Sequence, residues 1–138
     1  MNKKDVSIRL VSRQSDGENN EETELFSKGK YQKIKDGYII SYDETEATGF
    51  EGSTTSLTVT DRKVVMDRKG KVTSNLVVEL GTKQHCVYGT PYGDFMIGVN
   101  ATNIVSDLDD NGGKLVFHYV IDVNSSYLGD FDISVEVK

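Results

Sequence analysis

Hydrophobic and polar residues alternate with a period of two along most of the chain, not with the 3.6-residue period of a helix. The pattern is cleanest at the C-terminal end, where Phe131, Ile133, Val135 and Val137 alternate with Asp130, Asp132, Ser134 and Glu136. One face is apolar and the other charged, as in a half-buried antiparallel strand. Just upstream, Leu115, Phe117, Tyr119, Ile121 and Val123 share a face, with Lys114, His118 and Asp122 opposite. The same parity puts Val6, Ile8 and Leu10 against Ser7 and Arg9, and Tyr38, Ile40 and Tyr42 against Ser41 and Asp43. It further sets Val72, Leu76, Val78 and Leu80 against Thr73, Asn75 and Glu79, and Phe95, Ile97, Val99 and Ala101 against Gly98, Asn100 and Thr102.

Turn chemistry falls between these runs. Asp16-Gly17 closes a first hairpin, Lys69-Gly70 separates a strand near 64–68 from one near 72–80, and Asn124-Ser125-Ser126 joins the last two strands. Thr90-Pro91-Tyr92-Gly93 puts the single Pro at the second turn position and Gly at the fourth, a type I arrangement. Asp110-Asn111-Gly112-Gly113 supplies residues that tolerate left-handed backbone. Thr102–Leu108 reads either as a turn of helix or as more strand. The spacing predicts about eight to ten short strands, the signature of an all-β sandwich or barrel. The expected architecture is a single antiparallel, mostly up-and-down β-barrel over residues 1–138, without linker or internal repeat.

Composition adds bounds. A chain of 138 residues holds a core without staples, and 36% hydrophobic with 28% charged residues is an ordinary globular balance. One cysteine, Cys86, excludes an internal disulfide and a multi-cysteine zinc cage. Residues Met1–Asp5 carry positive charge, but Val6–Leu10 alternates instead of running apolar, so no signal peptide or membrane span is expected. Cytoplasmic location follows by default. A net charge of −6 opposes nucleic-acid binding. The Lys-rich stretch Lys28–Lys35 reads as a solvated strand at a sheet edge, protected by its lysines.

Several short motifs stand in a familiar order. Tyr38-Ile39-Ile40-Ser41-Tyr42-Asp43-Glu44 precedes Thr54-Thr55-Ser56-Leu57 and Arg68-Lys69-Gly70. Val87-Tyr88-Gly89-Thr90-Pro91-Tyr92-Gly93 and Gly112-Gly113-Lys114-Leu115 with Tyr119 follow. Together they resemble the bacterial YwiB-like family, a domain of unknown function associated with a calycin-type (lipocalin-like) β-barrel. The resemblance implies a small closed antiparallel barrel and, by analogy with calycins, ligand binding. It brings no catalytic residues.

Candidate chemistry is sparse. If Tyr38, Ile40 and Tyr42 point inward, so does Glu44; if Val64 and Met66 do, so does Arg68. Two such charges at one end of a barrel are expected to pair. With Tyr42, Tyr88, Tyr92 and Tyr119 they are the candidate lining of a ligand-binding barrel mouth. The opposing reading leaves Glu44 and Arg68 at strand ends, in water or in a structural ion pair, and the tyrosines as ordinary packing. His85 and Cys86 are adjacent, so a strand sends them to opposite faces and they form no nucleophile–base pair. Cys86 reads as a buried inert thiol, and His85 and His118 as surface residues with no metal set around them. Asp107–Gly112 mimics the start of a calcium loop, but the twelfth position is His118 where a bidentate Glu is required. No phosphate cradle or nucleophile elbow occurs, and no cofactor is implied.

The leading expectation is therefore a non-enzymatic barrel that binds a small molecule inside or at its mouth. Its rival is a solid-core interaction module working through its outer surface and strand edges. Hydrolase or isomerase chemistry on Glu44 comes last. Oligomeric state is open, a homodimer included.

Overall fold

The computed structural model describes residues 3–48, 50–71, 73–90 and 92–138, with only the backbone described at 88–90. Ten strands follow one another: β1 (Lys3–Ser15), β2 (Asn20–Ile34), β3 (Gly37–Asp43), β4 (Ser53–Thr60), β5 (Lys63–Gly70), β6 (Ser74–Glu79), β7 (Gln84–Thr90), β8 (Gly93–Asp109), β9 (Gly112–Val123) and β10 (Ser126–Val137). Each pairs antiparallel with its neighbours in sequence, and β1 also pairs with β10, from Ile8 against Val137 to Ser15 against Asp130. The sheet closes into an up-and-down barrel. Among the described residues no helix is long and apolar enough to cross a membrane.

The alternation read from the sequence becomes the inside and outside of this barrel. Ile8, Leu10, Leu25, Ile40, Leu57, Val64, Leu76, Val99, Leu115, Phe117 and Val135 are all buried in one interior. Each such side chain stabilises the fold by about 1.5–3 kcal/mol through the water it sheds. Glu44 and Arg68 continue the inward parity of β3 and β5 and are buried with them. Cys86 is buried, while His85 on the opposite face is exposed. Val72, placed inward by its parity, and Pro91 of the predicted turn lie outside the described residues.

Closure corrects one expectation. Strand β2 is no edge: it pairs with β1 from Asn20 to Gln32 and with β3 from Gly29 to Ile34. Lys30 is the outward member of a cross-strand ion pair with Asp5, and Lys33 reaches Asp110 of the β8–β9 turn across the end of the barrel. A Lys-rich outer face looks the same in sequence whether or not a neighbour covers the backbone beside it. Among the described residues the seam between β6 and β7 is the thinnest in the barrel, with the single register pair Asn75–Val87. There the backbone N–H of Val77 donates to the Cys86 sulfur at 3.3 Å, so the thiol occupies the place of a ladder carbonyl.

Thr102–Leu108 continues β8 as strand. A bulge at Thr102 shifts the register between Ala101 and Asn103, which moves the inward face from Ile97 and Val99 to the partly buried Ile104 and Leu108. That switch produced the helix-like spacing. Strand β5 runs on through Gly70, so the β5–β6 turn comes later than Lys69-Gly70.

Asn124 and Ser125 form a two-residue hairpin between Val123 and Ser126, with φ of 52° and 67°. Both central residues are left-handed, the type I′ condition. Serine is strained in this region, which glycine occupies freely. Ser125→Gly should therefore stabilise the protein by about 0.5–1 kcal/mol after the entropy of the unfolded glycine is subtracted. A thermal melt should show a raised midpoint; an unchanged or lowered one would contradict the strain.

Candidate functional site

The connections β1–β2, β3–β4, β5–β6, β7–β8 and β9–β10 meet at one end of the barrel, and both termini lie at the other. The two ends differ chemically. At the terminal end Tyr31 and Tyr38 stack with ring centroids 5.0 Å apart. Their hydroxyls donate to the Asp109 carbonyl at 2.8 Å and to Asp110 Oδ1 at 2.9 Å. The pair thereby ties β2 and β3 to the β8–β9 turn across the opening.

At the other end the buried polar side chains gather. Among the described residues these are Glu44, Ser53, Thr55, Arg68 and Ser74. Arg68 Nε and Nη2 each lie 3.2 Å from Glu44 Oε2, with the two side chains only 8% and 2% exposed. Thr55 donates to the same oxygen at 3.0 Å, and Thr48 donates to Oε1 at 3.1 Å. Arg68 Nη1 reaches Ser74 Oγ at 3.4 Å. The Phe50 ring lies over the guanidinium, 3.7 Å from its carbon to the ring centre, a cation–π contact. Among the described residues no buried side-chain nitrogen or oxygen lacks a partner.

Local sequence explains the cluster. Strand β3 ends at Asp43, and the Glu44 N–H still bonds the Ser53 carbonyl at 2.9 Å. The connection to β4 then brings Thr48 and Phe50 over the end of β5. Arg68 is the last buried position of β5 before the turn. Both charges stand where the interior meets the opening, and each is held by residues from at least one other strand.

A cavity of about 190 Å³ opens beside this pair. Tyr42, Met66, Leu76 and Tyr119 line it deeply; Phe131 and Phe50 stand partly exposed at its sides. Phe117, Tyr119 and Phe131 stack along the β9–β10 wall, with centroids 5.9 and 5.2 Å apart. Burial, then the Glu44 carboxylate, push the Tyr42 phenol far above its ordinary range against the smaller opposing effects of Arg68 and Thr55. A larger space of about 530 Å³, bordered by Asp36, Asp61, Arg62 and Val105 at the terminal end, contains none of the buried polar residues.

Of the residues singled out from sequence, the fold brings together Tyr42, Glu44, Arg68 and Tyr119. Tyr92 does not join them: it sits in the β7–β8 turn, 93% exposed, and is absent from the cavity wall. That hairpin projects past the rim, because β8 meets β9 only from Gly98 onward, which also explains why Phe95 is half exposed despite inward parity. The Tyr88 side chain lies outside the described residues. Of the two states the opposing reading allowed Glu44 and Arg68, water and a structural ion pair, the structure rules out the first: the pair is buried. Missed entirely were the rim residues Ser12, Gln14, Glu21 and Thr23, which complete the cavity wall on β1 and β2. Parity carried the signal, since Ser12 and Gln14 extend the face of Ile8 and Leu10, and Thr23 and Glu21 that of Leu25.

Elsewhere the outer surface holds a polar chain. Thr102 bonds His118 Nδ1, and His118 Nε2 lies 3.6 Å from Asp130, which also accepts from the Tyr127 hydroxyl at 2.6 Å. Asp130 also borders a cleft with Arg13, Glu21 and Asp132, outside the mouth cavity. Among the described residues no group of three or more His, Cys, Asp or Glu is placed to hold a metal ion.

Tyr31, like Tyr42, is held well above the ordinary phenol range, first by burial and then by Tyr38 and Asp109. A phenol raised in the folded state contributes stability that is complete below its unfolded pKa of about 10. That stability falls as pH rises further, because the unfolded chain releases these protons first. An ultraviolet titration should thus show fewer than seven phenolates while β structure persists, the rest appearing only with alkaline unfolding. Full ionisation with the circular dichroism unchanged would refute the burial argument.

No curated protein matches the chain. Among solved structures, the crystal structure of the ywiB protein from Bacillus subtilis superimposes with a TM-score of 0.82 at 23% identity, over 99% of this chain and 93% of that one. At this identity the likeness establishes the fold, a ten-stranded closed barrel, and nothing further. Residues 8–135 match a family described as a domain of unknown function, DUF1934. The chain belongs to the DUF1934 family.

Proposed function

We propose that this protein is a small-ligand-binding barrel whose site is the mouth cavity beside Glu44 and Arg68. The observation that carries the reading is a buried ion pair placed at the wall of a cavity instead of in solid packing. A buried pair is a poor device for stability: desolvating two charges offsets most of their attraction, and apolar residues of similar volume usually do as well or better. Held by Thr55, Thr48, Ser74 and Phe50, this pair shapes the inner wall of the cavity and keeps it open, leaving the ligand's polar end to the rim. The cavity is small beside the ~300–1,000 Å³ of sites that bury drug-sized molecules, so the ligand is a compact one with an apolar body and a polar end. No cofactor, metal or nucleic acid enters this reading.

A second reading, an interaction module, draws on the projecting β7–β8 hairpin, where Val87, Phe95 and Met96 are exposed. It loses the free strand edges first expected for it, since closure pairs the long strands on both sides. Acid–base catalysis by Glu44 has less support still. Both of its oxygens are engaged, by Arg68, Thr55 and Thr48, which leaves no proton path to a substrate.

Stability and binding separate these readings. Arg68→Met alone should lose about 3–5 kcal/mol, because it strands the Glu44 carboxylate in the interior. The double variant Glu44→Leu/Arg68→Met should unfold within about 1 kcal/mol of the parent. A double variant much less stable than the parent would make the pair structural. Native mass spectrometry of protein purified from its source should find a small molecule on the parent and none on the double variant. A consistently empty parent would sink the proposal.

A further inference from the structure

The mouth is electrostatically lopsided. Its wall holds one cation, Arg68, against two carboxylates, Glu44 and Glu21. Arg68 and Glu44 are spent on each other at 3.2 Å. Glu21 is not: it is exposed on the rim, and among the described residues its carboxylate meets no cation and accepts no hydrogen bond. Its neighbours contrast with it. Glu22 is bound by Arg13 and Glu24 by Arg9 at 2.6 Å on the outer face of the same strand, so the ion-pair network of β1 and β2 stops where the chain turns inward.

Toward the cavity the groups around Glu21 are neutral; on its other side Arg13, Glu22, Asp130 and Asp132 border the adjoining rim cleft, where Arg13 is held by Glu22. Gln14 stands directly across from it on β1, and Ser12 across from Thr23 one step deeper; outside the backbone ladder, none of these three side chains has a hydrogen-bond partner among the described residues. Facing them are the rings of Tyr119 and Phe131, stacked at 5.2 Å, whose faces attract cations. The whole chain carries −6, which draws cations toward it and repels anions.

We infer that the mouth cavity selects a small organic cation, a protonated amine on a short aromatic or aliphatic body. Glu21 is its counter-charge, Gln14, Ser12 and Thr23 accept its remaining N–H bonds, and the rings of Tyr119 and Phe131 contact its body. The inference rests on the mouth-binding reading and narrows it. A carboxylate-bearing ligand would bring a second negative charge to Glu21 and find Arg68 already occupied by Glu44.

A charge series of nearly equal shape tests it: 2-phenylethylammonium, 2-phenylethanol and phenylacetate, each titrated into the full chain by calorimetry and by methyl NMR of Met66 and Ile133. The ammonium should bind at least about fivefold more tightly than the alcohol, as expected for one exposed charge partner plus a cation–π contact, and the anion weakest. Glu21→Gln, at an exposed rim position, should bring ammonium and alcohol within about twofold of each other by weakening the ammonium alone. Phenylacetate binding as tightly as the ammonium, or a ratio unmoved by Glu21→Gln, would overturn the cation assignment while leaving a mouth site. If no member of the series shifts the mouth methyls, both the assignment and the mouth reading fall.

Discussion

The pairing of β1 with β10 is the constraint on which everything else depends. It joins the two ends of the chain through eight consecutive register positions, Ile8–Val137 to Ser15–Asp130, and so turns a ten-stranded meander into a tube. Once the sheet closes, every residue of one parity enters a single interior and no polar group there can escape sideways to water. Arg9, bridging Glu24 on β2 and Glu136 on β10 at 2.6 and 3.4 Å, decorates this seam, but an exposed pair contributes only about 0–1 kcal/mol. The backbone ladder and the buried Ile8, Leu10, Val135 and Val137 hold it.

Closure explains the Glu44–Arg68 pair. In an open sheet either side chain could reach solvent over an edge. In a tube, each must leave by an end or find a partner, and the β3–β4 connection caps that exit by folding Thr48 and Phe50 onto the pair. The charges are then locked at the depth where interior and mouth meet. The contacts of Arg68, Thr55 and Thr48 on Glu44 come from this local assembly, so its carboxylate is satisfied by the protein alone and needs no rearrangement, the condition under which binding carries a low ordering cost.

The alternation of Phe131, Ile133, Val135 and Val137, and of Tyr38, Ile40 and Tyr42, was enough to orient whole strands and to send Glu44 and Arg68 inward. What parity could not deliver were the places where it changes. The bulges at Thr102 and near Leu128 insert one residue each; the first carries no glycine or proline to mark it, and Gly129 beside the second reads equally well as part of the hairpin turn. Closure itself was invisible, because a Lys-rich outer face such as Lys28–Lys35 serves an edge and a covered strand alike. Glu21 and Gln14 were passed over for a related reason. Polar residues near a turn read as solvent-facing, and only the three-dimensional rim distinguishes facing water outside the tube from facing water in its mouth.

The asymmetry of the two ends gives the interior a direction. At the terminal end, Tyr31 and Tyr38 are bonded to the β8–β9 turn, and Lys33 and Lys4 add contacts to Asp110 from the same side. Opening that end means breaking a ring stack and several hydrogen bonds at once. At the mouth the comparable groups are bonded to one another around Arg68, and the aromatic wall from Phe117 through Tyr119 to Phe131 ends partly exposed. On the proposed reading a ligand comes in past Glu21 and Phe131 and meets Tyr42 and Leu76, so that its polar end remains at the rim while its apolar body goes in first. A ligand oriented the other way would bury its charge against a pair already neutralised and leave its apolar surface in water, losing on both counts.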